Sequence, residues 1–329
     1  MEASSNMEEV LYEFLPYGRV YKNGIVERLI DTDSIPALTD IETGVSSKDV
    51  SNIIPDSEVY VRLYLPNDLI VSAAKKLPVL VYFHGGAFII ATPSCSKYHN
   101  YLNALVAEAQ VVAVSVHYRR PPEHPLPIAY EDSLAALQWV ASHQNGNGPE
   151  AWLNDHADFD HVFLAGDSAG ANIAHNLALS AGNVDFLPPG VNILGIALIH
   201  PYFWGSEAIG SESLEKEKKD YLDKLWPLVC PSDPDRDHPW INPVAEDAPS
   251  LAGLNCKRVL VCVAEKDILK DRGWLYYQIL SKSGWLGVAE IQETEGEAHC
   301  FHLSDLKCEN ATNLMRRLAG FFNRDKPYL

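Results

Sequence analysis

The chain has 329 residues of which 47% are hydrophobic, enough to bury a large core in one α/β domain with a cap or in two domains. A formal net charge of −18 and the lack of a basic patch exclude a phosphate-binding surface, so we predict no nucleic-acid partner. No stretch approaches the ~20 apolar residues of a membrane span, and the acidic residues 1–9 do not resemble a signal peptide, so we predict a cytoplasmic protein without a membrane partner.

The first 55 residues are predicted to be a lid or extension over the main domain. They contain few long apolar runs and several turn formers, such as Pro16 and Gly44. A cluster of large side chains at residues 14–21 indicates a short helix or strand that packs over another part of the protein. Regular alternation starts only at residues 59–65, which we predict as a half-buried strand ended by Pro66.

Strands and helices then alternate along the chain. Nearly continuous apolar runs at residues 77–83, 110–118 and 193–199 are typical of strands buried on both faces of a sheet. Helices are predicted over residues 98–109 and 130–140, and again over 269–282 between strands at 258–264 and 288–294. A last helix is predicted through residues 306–322. This order predicts an α/β fold with a mostly parallel central sheet and helices on both faces.

Residues 200–245 interrupt the alternation, and we predict that they form an inserted helical cap. Aromatic side chains, among them Tyr202 and Tyr221, occur here between charged and proline-rich turns. Such an excursion between two sheet strands would cover the carboxyl edge of the sheet. The acidic run 232–237 lacks the glycine and terminal glutamate of an EF-hand loop, so a solvated turn is predicted rather than a metal site. We therefore predict one domain over residues 1–329, with a lid and a cap.

A strand runs into a helix through Gly166-Asp167-Ser168-Ala169-Gly170. So sharp a turn crowds the backbone, and the flanking glycines allow the strand and the helix to approach. The Ser168 hydroxyl is left exposed at the tip, and the N–H of Ala169 points to where an oxyanion would form. Gly-x-Ser-x-Gly is short and also occurs in ordinary loops, so this nucleophile elbow needs support from the rest of the chain.

A second loop of the same kind follows the predicted strand at residues 77–83. It reads His84-Gly85-Gly86-Ala87-Phe88, and two adjacent glycines let the backbone turn its N–H groups outward. Gly85 and Gly86 are therefore predicted as oxyanion donors together with Ala169, although an ordinary tight turn has the same composition. Both loops follow central strands, at the edge where open α/β sheets place their sites.

A serine nucleophile needs a base, and the base needs an acceptor that fixes its tautomer. Asp267 follows one predicted strand and His299 follows the last one, so Ser168, Asp267 and His299 occur in the order expected of α/β-hydrolases. Each lies just beyond a core strand, on one edge of the sheet. We predict these three as the catalytic residues, with no metal.

Four other residues compete for these roles. Asp271 lies one helical turn after Asp267, and we expect it to pair with the adjacent Arg272 or to cap its helix. His302 is expected at the start of the last helix, whereas His299 lies on the loop itself. Asp167 should brace the elbow, and Cys300 has no elbow of its own.

Two further groups of residues are predicted to be structural. The six cysteines are scattered without C-x-x-C spacing, which favours reduced thiols over disulfides or a zinc site. Arg119, Glu123 and Asp132 are predicted to form a charge network that braces the proline-rich segment 119–127.

The combined motifs resemble the plant carboxylesterases of the hormone-sensitive-lipase-like group. They are residues 84–88, 118–127, 166–170 and 267–273, and His299-x-Phe301-His302. The resemblance extends over nearly the whole chain. The resemblance implies an α/β-hydrolase fold with an N-terminal lid and inserted cap, no cofactor, and hydrolysis of small carboxylic esters. The expected partner is therefore a small-molecule ester substrate. It leaves the oligomeric state and the natural substrate unknown.

Two departures and three related functions qualify this resemblance. Ala87 stands where the group often has a third glycine; it keeps its N–H but places a methyl group in the pocket, and Arg120-Pro121 replaces a common Leu-Ala. The group also contains the gibberellin receptor, isoflavonoid dehydratases such as 2-hydroxyisoflavanone dehydratase, and alkaloid cyclases with altered triads. The presence of Ser168, Asp267 and His299 disfavours a receptor, but a dehydratase or lyase could use the same base and oxyanion loop.

Overall fold

Two β-sheets organise the computed structural model, which describes residues 9–67, 76–182, 187 and 191–324. A small antiparallel sheet near the N-terminus contains β1 (Val10–Phe14), β2 (Gly18–Tyr21) and β3 (Val26–Arg28). The central sheet contains β4 (Val45–Val50), β5 (Tyr60–Pro66), β6 (Leu77–Phe83), β7 (Val112–His117), β8 (Ala157–Asp167), β9 (Ile193–Ile199), β10 (Arg258–Ala264) and β11 (Val288–Thr294).

The central sheet is mostly parallel, as predicted. Its strands lie in the order β11-β10-β9-β8-β6-β7-β5-β4, and only β5 runs antiparallel to its neighbours. Parallel neighbours end at the same edge, so the loops that follow β6, β8, β9, β10 and β11 converge there. The predicted nucleophile, acid and base all follow strands of this set.

Helices cover both faces of the central sheet. They are α1 (Ser96–Ala109), α2 (Ile128–Ala141), α3 (Ala151–His156), α4 (Ala169–Ser180), α5 (Lys216–Val229), α6 (Lys270–Lys282) and α7 (Glu309–Asn323). Along β6, Val79, Val81 and Phe83 pack with residues of α2, α4 and α6, whereas Leu80 and Tyr82 pack with α1 and α7. Period-two alternation therefore divides the buried residues into two cores.

The ends of the chain differ from the prediction in two places. Residues 45–50, which we placed in the lid, form the edge strand β4, whose backbone pairs with β5 from Val45 opposite Pro66 to Val50 opposite Val61. Four of the six residues in this strand are polar, so it lacks the apolar run that marked the others. The last helix begins at Glu309, because residues 301–303 form a separate short 3₁₀ turn that contains His302.

Two covers lie over the carboxyl edge, and they are attached differently. The small sheet is held by Arg28, whose guanidinium donates to the Ile89 carbonyl at 2.6 Å and pairs with Glu123 at 2.7 Å. The segment after β9 contains α5 and is held by a buried pair in which Arg272 Nε lies 2.6 Å from Glu212 Oε1.

The charge network predicted for residues 119–132 forms only in part. Arg119 pairs with Asp132 at 2.7 Å, but Glu123 pairs with Arg28 instead, because the small sheet brings that cation across the loop.

Among the helices of the described ranges, none combines the length and the apolar character needed to cross a bilayer.

Candidate active site

The sharp strand-to-helix turn that the sequence predicts at Ser168 is present. β8 ends at Asp167 and α4 begins at Ala169, so Ser168 alone makes the turn, with φ 52° and ψ −116°. A positive φ at a residue other than glycine costs about 1–3 kcal/mol and persists only where the surroundings enforce it. The Ser168 N–H donates to the Ile199 carbonyl at 2.9 Å, and a Cβ at Gly170 would overlap the carbonyl of Phe83. The neighbouring strands thus enforce the strained turn.

Asp267 and His299 meet on the loops that follow β10 and β11. His299 Nδ1 lies 2.6 Å from Asp267 Oδ2, which is the contact expected of a base held in one tautomer by its acid. Asp267 is 3% exposed, and its second carboxylate oxygen accepts the N–H of Leu269 at 2.9 Å. The His299 side chain is 38% exposed, so its ring is held by Asp267 at Nδ1 and remains accessible from the cavity.

The charges of this pair stabilise each other. Burial raises the pKa of the Asp267 carboxyl, but the neighbouring His299 outweighs burial, and the pKa lies below its ordinary value. Burial lowers the pKa of His299, but the Asp267 carboxylate outweighs it, and the pKa lies well above its ordinary value. His299 is therefore a stronger base than a free imidazole, and its neutral form is reached only at higher pH.

Ser168, Asp267 and His299 line one cavity of about 420 Å³. In the part of the chain that the structure describes, the Ser168 hydroxyl makes no hydrogen bond with His299; both groups face the same space. Nucleophile–base contacts are often long without substrate and shorten when it binds. The three predicted catalytic residues are thus brought together at one edge of the sheet.

The oxyanion loop differs from the prediction at one position. The N–H of Gly85 donates to the Tyr98 hydroxyl at 2.7 Å, so it does not point into the cavity. Neither Gly86 nor Ala87 donates its N–H to another group among the described residues, and Ala87 lines the cavity. The available donors are therefore Gly86, Ala87 and Ala169, the first residue of α4, whose N–H has no acceptor one turn earlier in the helix.

Tyr98 connects this loop with the elbow. Its hydroxyl accepts from Gly85 and donates to Asp167 Oδ2 at 2.7 Å, while Tyr82 donates to Asp167 Oδ1 at 2.8 Å. Burial raises the pKa of Asp167, and these hydrogen bonds oppose that shift. Asp167 braces the elbow, as predicted. Sequence reasoning missed Tyr98, because a tyrosine on an amphipathic helix gives no signal that separates it from the core.

The structure also locates the other competitors. Asp271 neither pairs with Arg272 nor caps its own helix; it accepts from the backbone N–H and hydroxyl of Ser211 at 2.6 and 2.7 Å. Arg272 is taken by Glu212, because the segment after β9 folds onto the start of α6. His302 is 1% exposed, and both of its ring nitrogens are buried without a hydrogen-bond partner among the described residues. It does not line the cavity.

His200 follows β9 and supports the loop of His299, a role that the sequence did not suggest. Its Nδ1 accepts the N–H of Cys300 at 3.0 Å, and burial lowers its pKa to about 3.

Donor atoms of His200, His299 and Cys300 lie within 4.8 Å of one another, a grouping that could in principle hold a metal. However, burial raises the pKa of the Cys300 thiol to about 12, which opposes the thiolate that a metal requires. The six cysteines are all free.

Comparison with known proteins agrees with this geometry. A model of the alpha/beta hydrolase fold matches residues 80–303, which include the oxyanion loop, the elbow, Asp267 and His299. The chain belongs to this family. Probable carboxylesterase 2 of Arabidopsis thaliana is 46% identical over 320 residues, which cover 97% of this chain and 98% of the relative. The predicted resemblance to the plant carboxylesterase group is thereby confirmed.

Two further members of the α/β-hydrolase family extend the comparison. The 2-hydroxyisoflavanone dehydratase of Glycine max is 44% identical over 320 residues, with 95% of this chain and 99% of the relative covered. The structure of a hyperthermophilic esterase from the archaeon Pyrobaculum calidifontis superposes with a TM-score of 0.67 at 26% identity, covering 84% of each chain. The predicted α/β-hydrolase fold is confirmed by these matches.

Proposed function

We propose that this protein is a serine carboxylesterase that hydrolyses small carboxylic esters of plant metabolites through an acyl-enzyme. One observation carries the proposal: the Asp267–His299 hydrogen bond of 2.6 Å opens onto the same cavity as a serine on a strained elbow. The carboxylesterase relatives and the esterase of similar structure support it.

The proposed reaction has two acyl-transfer steps. His299 Nε2 takes the proton of Ser168, and Oγ forms a bond with the ester carbonyl carbon. The carbonyl oxygen becomes an oxyanion and accepts hydrogen bonds from the N–H groups of Gly86, Ala87 and Ala169. The bond to the alcohol oxygen then breaks, and His299 gives its proton to the leaving alcohol.

Water completes the cycle by the same route. His299 takes a proton from water, whose oxygen attacks the acyl carbon, and the second tetrahedral intermediate collapses. The bond to Ser168 breaks, the carboxylic acid leaves, and the serine recovers its proton from His299. Asp267 keeps the imidazole oriented and stabilises its charged form in both halves.

We propose that the two covers act as a lid and a cap. Tyr17, from the turn after β1, and Tyr221 and Leu225, from α5, line the cavity above Ser168. Leu222 also lines the cavity on this side, next to the charged Glu217 and Lys218. The apolar part of the covers limits water around the reacting atoms and strengthens the hydrogen bonds to the oxyanion. A cytoplasmic location is proposed as well, and it is supported by six unpaired cysteines.

Replacing the nucleophile tests the proposal directly. Ser168→Ala should lower kcat for p-nitrophenyl acetate by roughly 10⁴- to 10⁶-fold, because no other hydroxyl lies on the elbow. Ser304→Ala, at an exposed serine outside the cavity, serves as the matched control. An organophosphate should add one phosphoryl group to the wild type, with the mass located on Ser168. Turnover that survives in Ser168→Ala at the wild-type rate contradicts the mechanism.

A second reaction is favoured by the 44% identical dehydratase. His299 could remove a proton next to a ketone, and the oxyanion loop could stabilise the enolate while a hydroxyl leaves as water. This reaction needs no acyl-enzyme. Turnover of a hydroxylated phenolic ketone that persists in Ser168→Ala, together with little hydrolysis of esters by the wild type, would favour the dehydratase.

A further inference from the structure

Three tyrosines from three separate segments meet in the cavity above Ser168. Tyr17 comes from the turn after β1, Tyr202 from the loop after β9, and Tyr221 from α5. The rings of Tyr17 and Tyr221 lie 6.4 Å apart between centroids. The Tyr202 backbone N–H donates to the Ser168 carbonyl at 3.0 Å, which fixes this residue directly beside the elbow.

Two hydroxyl groups of this tyrosine cluster are buried without partners in the part of the chain that is described. Tyr202 is 2% exposed, and its hydroxyl, like that of Tyr221, is buried without a hydrogen bond. A buried polar group without a partner is unfavourable, and such groups are uncommon in folded proteins. Most other buried tyrosine hydroxyls near the site are bonded; those of Tyr82, Tyr98 and Tyr130 donate at 2.7–2.8 Å.

Among the described residues, no side chain accepts a hydrogen bond from either hydroxyl. Leu222, Leu225, Ile268 and Leu269 form much of the wall between the cap and the start of α6. Of the nearby carboxylates, Asp223 is already bonded by Trp204 Nε1 at 2.8 Å, by Lys219 and by Arg236, and Glu217 lines the cavity without bonding either hydroxyl. Burial raises the pKa of both Tyr202 and Tyr221, so both hydroxyls remain protonated and able to donate.

We propose that the hydroxyls of Tyr202 and Tyr221 bind an acceptor oxygen on the non-reacting part of the ester, so that oxygenated esters are preferred over plain alkyl esters. The inference rests on the proposed esterase function and specifies its substrate class. The oxygen is a carbonyl, ether or hydroxyl oxygen two or more bonds from the reacting ester. A site built around hydrogen-bond donors discriminates against an analogue that leaves them unpaired.

Matched esters that differ by one atom test this substrate class. 4-Nitrophenyl 3-methoxypropanoate and 4-nitrophenyl pentanoate have the same chain length, with an oxygen replacing a methylene in the acyl part. 2-Methoxyethyl butanoate and butyl butanoate make the same change in the alcohol part. Each ratio of kcat/KM is divided by the ratio of alkaline hydrolysis rates, so that intrinsic reactivity is removed. The pair that shows the preference identifies which part of the ester reaches the tyrosines.

The wild type should prefer the oxygenated ester of one pair by roughly 3- to 10-fold, the effect of one neutral hydrogen bond. Tyr202→Phe and Tyr221→Phe should each reduce this ratio, and the double variant should bring it close to one. Tyr277→Phe, whose ring contacts Trp274 outside the cavity, should leave the ratio unchanged.

Failure of this inference is distinct from failure of the esterase function. A wild-type ratio near one in both pairs, or a preference that survives in the double phenylalanine variant, overturns the substrate class while ester turnover still depends on Ser168. Loss of that dependence overturns the proposed function itself. Melting temperatures of the phenylalanine variants close to that of the wild type show that a changed ratio does not arise from misfolding.

Discussion

The catalytic groups at the carboxyl edge of the sheet and the tyrosine cluster above them differ in whether their polar atoms are bonded. At the edge, Asp267 is bonded to His299, Asp167 accepts from two tyrosines, and the Gly85 N–H is taken by Tyr98. In the covers, the hydroxyl of Tyr221 is buried with no partner among the described residues, as is that of the adjoining Tyr202.

This difference suits the bonded groups to catalysis and the unbonded hydroxyls to the choice of substrate. Groups that are bonded on every side hold one geometry, as a preorganised catalytic site requires. Groups without partners are available to a ligand, and they make the free energy of binding depend on whether the ligand supplies an acceptor. We therefore expect the edge to determine the reaction and the tyrosine cluster to influence which ester undergoes it.

Asp267→Asn, which changes the catalytic edge, should have the largest effect on activity. An amide keeps the size of the side chain but holds the wrong tautomer of His299, so kcat should fall roughly 10³- to 10⁴-fold. Because the carboxylate raises the pKa of His299, the acidic limb of the kcat/KM profile of the wild type should have its midpoint above pH 6.5. Without that charge, the largest contribution that opposes burial is lost, and the midpoint should move to lower pH.

Rates across pH 4–9 with p-nitrophenyl acetate measure both effects. Asp271→Asn is the matched control, because Asp271 lies one turn further along, bonds to Ser211 and does not line the cavity. An acidic limb that stays in place in Asp267→Asn would show that another group controls the protonation state of the base.

Glu212→Gln should break the attachment of the cap without changing the edge. Glu212 and Arg272 are 0% and 5% exposed, so removing one charge leaves the other buried without its counter-ion. Breaking a buried pair in this way lowers the free energy of unfolding by about 3–5 kcal/mol. Urea unfolding followed by tryptophan fluorescence measures the loss, and the exposed Glu246→Gln is the control. A change below about 0.5 kcal/mol, the range usual for surface substitutions, would contradict the structural role of the pair.

Tyr98→Phe tests whether the Tyr98 hydroxyl positions the oxyanion loop at the catalytic edge. It removes the acceptor of the Gly85 N–H and one donor to Asp167, at a cost of about 1–3 kcal/mol. As a positioning residue for the oxyanion loop, Tyr98 should affect kcat by roughly 10- to 100-fold and KM much less. Binding of a boronic acid, which imitates the tetrahedral intermediate, should weaken in parallel.

Tyr101→Phe is the control for this prediction. Tyr101 lies on the same helix and is equally buried, but its hydroxyl bonds neither Gly85 nor Asp167. Equal losses of kcat in the two variants would mean that packing of α1, and not the hydroxyl of Tyr98, supports the site.

Local pattern predicted much of the fold. Four strands, β6, β9, β10 and β11, lie at the residues expected for them, since each is an apolar or alternating run of seven residues bounded by turn formers. β4 was missed because four of its six residues are polar, and its place in the sheet comes from pairing with β5. The nucleophile, acid and base could be chosen because each follows a strand, and parallel strands end together.

The sequence by itself determined the order of strands and helices, the elbow and the residues of the proposed triad, because these depend on residue type and on spacing along the chain. Tertiary structure decided which amides are free for the oxyanion, what holds Glu123 and Asp271, and which tyrosine hydroxyls lack a partner. Each of these depends on a neighbour distant in sequence: Tyr98 at Gly85, Arg28 at Glu123, and Ser211 at Asp271. Hydrogen bonds form between groups that the whole fold brings within about 3 Å, and no local pattern encodes that proximity.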